Sequence, residues 1–124
     1  MQYLLLIYAD ESKMKSATQA DQTAMFKEYA EFTGSIVKSG HMRAGDALQP
    51  TSTATTVRVR EGKTLTTDGP YAETREQLGG YYLVEAGDLD EAIKLAARIP
   101  GSRTGSIEVR PIMQLPPDYP RPGR

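Results

Sequence analysis

The sequence contains no cysteine, no tryptophan and a single histidine. Without thiols it can hold no disulfide, no cysteine-ligated zinc or iron–sulfur cluster and no thiol nucleophile. One imidazole also excludes any site built on two. Charge of one sign is missing as well: 15 Lys and Arg stand against 16 Asp and Glu, for a net charge of −1. No broad positive field exists to attract nucleic-acid phosphates or an anionic membrane, so direct nucleic-acid binding is not expected. Long hydrophobic runs are lacking too. The apolar residues 1–9 are about half the length of a membrane-spanning helix and carry no basic leader, from which we expect a cytoplasmic protein without membrane contact. What is present, 124 residues with 39% hydrophobic and 25% charged, is the composition of one folded domain.

The hydrophobic pattern places the elements. Gln2–Ala9 is a continuous apolar run suited to a central strand buried on both faces. Thr18 stands three residues before Asp21, a relative of the capping box, and Met25, Tyr29, Phe32 and Ile36 then recur at helical spacing until Gly40 stops the helix. Residues 41–48 read as a strand in which Gly45 suggests a bulge. In residues 55–67 the alternation Val57-Arg58-Val59-Arg60 and the turn Glu61-Gly62-Lys63 predict a hairpin. Residues 79–86 form a further strand. Asp88 and Glu91 open a second helix with Leu89, Ala92, Ile93, Ala96 and Ile99 as its buried stripe, ended by Pro100-Gly101, and residues 106–113 supply the last strand. Residues 1–115 thus make one domain and 116–124 a proline-rich tail that cannot join a ladder.

Leaving the hairpin aside, the order strand, helix, strand, strand, helix, strand is the α+β, ferredoxin-like split βαβ. Two helices cover only one face of such a sheet, and these strands are too rich in Leu, Ile, Val and Tyr to leave the other wet. We therefore expect a homodimer whose sheets pack face to face, a dimeric α+β barrel.

The densest polar segment is residues 67–77, where Asp68-Gly69-Pro70 is a strong turn signal. It gathers Asp68, Tyr71, Glu73, Arg75 and Glu76 into one short loop. Two nearby carboxylates can divide acid and base roles if one is desolvated, and a phenol or guanidinium can orient an oxyanion or a ligand. The plainer reading makes Asp68 a turn former and the rest a solvated run. His41 is read as a cap on the first long helix, favoured there by the helix dipole, with a general-base role as the alternative. Arg58 and Arg60 share one strand face, as exposed strands routinely allow. Asp10 and Glu11 could hold a hard cation, but no repeated carboxylate spacing supports a metal site. No phosphate loop, nucleophile elbow or dinucleotide fingerprint is present, so no cofactor is expected.

The stretch from Leu65 through Asp68-Gly69-Pro70-Tyr71 to Tyr82 resembles the signature of DGPF-domain proteins, a branch of the YCII-related family, with Tyr71 where that motif has Phe. Tyr3 to Tyr8, Gly45 to Pro50 and Glu108 to Ile112 extend the likeness along nearly the whole chain. The resemblance implies the dimeric α+β barrel. Relatives are proposed to be enzymes using a His and Asp pair between helix and sheet, but the position of that histidine falls near Glu28 or Tyr29 here, and the only histidine lies more than three turns later. That mechanism is not carried over. Related domains also occur beside sigma factors, which implies a regulatory or accessory role.

Two functions stand open. One is a small-molecule-binding domain acting on a small polar or anionic metabolite, an acid/base enzyme in its catalytic form, with Asp68 as base or ligand anchor, Glu73 as partner carboxylate, and Tyr71, Arg75, Tyr29 and Glu28 as ligand contacts. The other is a non-catalytic dimeric sensor or accessory module linked to transcription. Burial of Asp68 and Glu73 in a concave pocket favours the first; a merely structural Asp68 and a solvated Glu73 favour the second.

Overall fold

A computed structural model describes residues 1–121; the last three residues of the expected tail, 122–124, lie outside the described residues. The elements are β1 (Gln2–Ala9), α1 (Glu11–Lys15), α2 (Gln19–Lys38), β2 (Met42–Ala47), β3 (Thr55–Arg60), β4 (Lys63–Asp68), β5 (Gln77–Glu85), α3 (Leu89–Arg98) and β6 (Ser106–Pro111). Short 3₁₀ turns occupy Thr51–Thr53 and Pro100–Arg103. One sheet has four strands in the order β2-β5-β1-β6, all neighbours antiparallel, and the hairpin β3-β4 forms a second. With the hairpin and α1 set aside, this is the expected ferredoxin-like split βαβ.

Local chemistry fixes the helix ends. Thr18 accepts from the Asp21 amide at 3.1 Å while its own amide donates to Asp21 Oδ2 at 3.2 Å, closing the capping box at the start of α2. At the other end Gly40, with φ +82°, lets its amide reach the Val37 carbonyl and the His41 amide reach that of Ile36. These two bonds are the Schellman closure. Backbone groups therefore do the capping expected of the His41 ring, which turns away. Its Nδ1 lies 2.6 Å from Ser39 Oγ and its Nε2 3.1 Å from Glu91 Oε1 on α3. Asp88 caps α3 by accepting from the Glu91 amide at 2.9 Å.

The core lies between the sheet and the two long helices. Phe32 and Ile36 from α2, and Ala92, Leu95 and Ala96 from α3, pack with Ile99 on Tyr3, Leu5, Tyr82 and Val84. Phe32 meets Tyr82 edge to face, with ring centroids 5.2 Å apart. The stripe of α3 is thus 92, 95, 96 and 99, while the expected Leu89 and Ile93 are about half exposed. Both sit just off the arc that meets the sheet.

Side chains alternate across a strand, so Leu4, Leu6 and Tyr8 point away from the helices. In register with them on that second face lie Leu83 and Ala44 near the centre, Tyr81 and Asp46 toward one edge, and Glu108 and Arg110 on the other. Leu83 is 3% exposed yet stands outside the helix-side core cluster, and Leu4 and Leu6 are half-buried. The face is apolar at its middle and polar at its margins. Two bulges adjust the pairing. One lies between Met42 and Ala44 of β2, not at Gly45, and the other skips Gly79 opposite the Ile7/Tyr8 step of β1.

Candidate functional site

The Asp-Gly-Pro segment closes β4 and leads back to the sheet. Gly69 has φ +101°, its amide donates to the Ala54 carbonyl at 2.7 Å, and its own carbonyl accepts from Thr56 Oγ1 at 2.8 Å. The turn is therefore clamped to the base of the hairpin, and Arg58 reaches across to the Tyr71 carbonyl at 3.4 Å. Farther on, Thr74 Oγ1 donates to the Glu76 carbonyl at 2.6 Å, and Gln77 Nε2 donates to the Thr74 carbonyl at 2.5 Å. Gln77 Oε1 accepts from the Glu11 amide at 3.0 Å, and Ser106 Oγ donates to Glu76 Oε1 at 2.8 Å. These bonds hold the loop at the carboxyl end of β1.

Here the loop meets the polar margin of the uncovered sheet face. The Tyr8 hydroxyl donates to Glu108 Oε1 at 3.4 Å, and Arg110 Nε donates to Glu108 Oε2 at 3.0 Å. Partial burial first, then the Glu108 carboxylate, push the Tyr8 phenol above its ordinary range, with Tyr71 near enough to add to the effect. Hydrogen bonds from Ser12 hold the Asp10 carboxyl below its usual range, with Lys13 and Arg75 contributing weakly. Tyr71 is thus close enough to Tyr8, and Arg75 to Asp10, for a weak electrostatic interaction. Glu108 and Arg110 are the members of this cluster that sequence reasoning did not single out. Strict alternation along β6 was the available signal for them.

The six expected site residues divide between the two faces of the sheet. Asp68 is the last residue of β4 and Tyr71, Glu73 and Arg75 follow in the loop; all four are exposed, Tyr71 to 80%. Among the described residues neither the Asp68 nor the Glu73 carboxylate has a hydrogen-bond or ion-pair partner. Tyr29 and Glu28 lie on α2, on the helical side. The Tyr29 hydroxyl accepts from the Gly101 amide at 3.2 Å, and burial raises its pKa. Glu28 pairs with Arg103 at the rim of a surface groove of about 430 Å³ between α2 and the end of α3. Neither Asp68 nor Glu73 lines that groove.

Glu11 has structural work. It accepts from the Thr51 amide at 2.9 Å and from Thr51 Oγ1 at 2.7 Å, tying α1 to the 3₁₀ turn. Among the described residues no three His, Asp or Glu side chains gather as a metal site. The chain Ser39–His41–Glu91 has the residue order of a nucleophile, base and acid. However, the Gly40 and His41 amides beside it are already bonded to helix carbonyls, and Ser39 sits at the negative end of the α2 dipole, where an oxyanion is disfavoured.

Residues 1–116 match the YCII-related domain. An uncharacterised protein of Rhizobium meliloti (strain 1021) is 35% identical over 119 residues, covering 94% of this chain and 96% of that protein. A match spanning every strand and both long helices leaves one conclusion: the chain belongs to the YCII-related family.

Proposed function

We propose that the chain is a ligand-binding domain that works as a homodimer, the uncovered faces of two sheets packing together and the loop 69–76 closing over a small polar or anionic metabolite at their margin. The observation that carries this is the second sheet face, where Leu4 and Leu6 stay partly exposed in the single chain and belong to no helix-side core. Apolar surface of this kind is stabilised by removal from water at about 25 cal/mol per Å². At the margin Tyr8 and Arg110 are already bonded to Glu108, which leaves the Tyr71 hydroxyl and the Arg75 cation as donors for a small anion. Binding rather than acid–base turnover is the better supported reading, because Asp68 and Glu73 are both exposed and, among the described residues, line no pocket with each other.

Sedimentation at micromolar concentration tests the assembly. The expected mass is twice the 13.6 kDa of the chain, falling to one chain for Leu6→Glu; a monomeric wild type refutes the reading. Thermal-shift assays with succinate, citrate and inorganic phosphate test the ligand class. A rise in Tm with one of them, lost in Arg75→Gln, is expected, and no response to any of the three counts against an anion site.

A further inference from the structure

The groove between α2 and α3 lies on the opposite side of the sheet from the proposed loop site and is independent of it. Its floor is apolar, formed by Phe32, Ala97 and Pro100. Four charged side chains stand around it, and two of them, Glu28 and Arg103, neutralise each other. The remaining two do not. Arg98 is held with its guanidinium 5.5 Å from the centre of the Phe32 ring, and its Nη2 donates to Ser35 Oγ at 2.6 Å. That hydrogen bond uses one N–H of the guanidinium, and Arg98 itself lines the groove. Among the described residues no carboxylate lies within ion-pair distance of Arg98. Glu31, lining the same groove, likewise makes no ion pair among the described residues.

A cation and an acid on one groove, each unpaired and separated by more than an ion pair, complement a ligand that carries both signs. A simple anion would satisfy Arg98 but leave Glu31 repelling it, and a simple cation would do the reverse. We propose that this groove binds a zwitterionic amino acid with an apolar side chain: its carboxylate on Arg98, its ammonium on Glu31, and its side chain against Phe32 and Pro100. Arginine suits the first role because its planar fork matches a carboxylate.

Titration of the ¹⁵N-labelled full-length protein with L-leucine, followed through amide chemical shifts, tests the assignment. Saturable shifts are expected at Phe32, Ala97, Arg98 and Gly101. Leucinamide, which lacks the carboxylate, and 4-methylpentanoate, which lacks the ammonium, should bind at least tenfold more weakly. Arg98→Gln and Glu31→Gln should each weaken L-leucine to a similar extent, and because the Glu31 side chain makes no hydrogen bond or ion pair among the described residues, its variant keeps the test open if Arg98→Gln fails to fold. Absence of saturation overturns the proposal. So does a response to 4-methylpentanoate equal to that of leucine, and so do shifts confined to Tyr8 and the loop 69–76, which would assign the ligand to the other face.

Discussion

Adjacent glycines on β5 carry opposite burdens. A Cβ on Gly80 would come within 2.9 Å of the Asp46 carbonyl across the strand pair, whereas one on Gly79 would meet nothing nearer than the Ile7 carbonyl at 4.0 Å. Urea unfolding should therefore show Gly80→Ala losing about 1–3 kcal/mol, the usual cost of forcing atoms into packed space, and Gly79→Ala within about 0.5 kcal/mol of wild type. Asp68→Asn should be similarly silent, because the carboxylate is exposed and unpartnered; a substantial loss of stability would mark it as structural. Tyr8 gives a pH signature. Its folded pKa is raised, so its contribution to stability is complete below the unfolded value of about 10 and disappears as pH climbs through the folded value. The alkaline absorbance titration of wild type should contain two late-ionising tyrosines, Tyr8 and Tyr29, of which Tyr8→Phe retains only Tyr29.

At the scale of elements, what could be read from sequence was what neighbouring residues decide among themselves. The Thr18–Asp21 box, the Gly40 stop and the Asp88 cap each involve residues a few positions apart, and each formed where its letters stood. The helix α1 was not anticipated. At five residues it is too short to persist on its own, and its anchor is the bond from Glu11 to Thr51, 40 residues away. Glu11→Ala should release both α1 and the 3₁₀ turn at Thr51, lowering stability by about 1 kcal/mol and speeding amide exchange at Thr51. The stripe of α3 was misplaced by one flank because periodicity gives an arc but not its centre, which the docking angle on the sheet selects. Of the residues expected in one loop, Tyr71, Glu73, Arg75 and Glu76 lie there, while Asp68 ends β4 and Gln77 begins β5. The approach of Tyr71 to Tyr8 depends on how the loop returns over β1, which spacing does not encode.

For the molecule as a whole, the expected order of strands followed from counting elements, and the uncovered sheet face followed from having two long helices for one sheet. The α2–α3 groove could not be foreseen, since it brings Glu28 and Phe32 against residues about 70 positions later. If the second face is buried by another copy, folding and association are linked, and Tm should rise with protein concentration over the micromolar range. Calorimetry at several concentrations would show it; a constant Tm would separate the two processes. The hairpin β3-β4 has its own corollary. Glu61 and Gly62 both adopt positive φ, +52° and +76°, in a two-residue turn at the tip of strands that are exposed almost throughout. That tip is the natural place to open the chain or splice in a foreign peptide, so an epitope or fluorophore could be carried there while every helix and the central sheet keep their native connectivity.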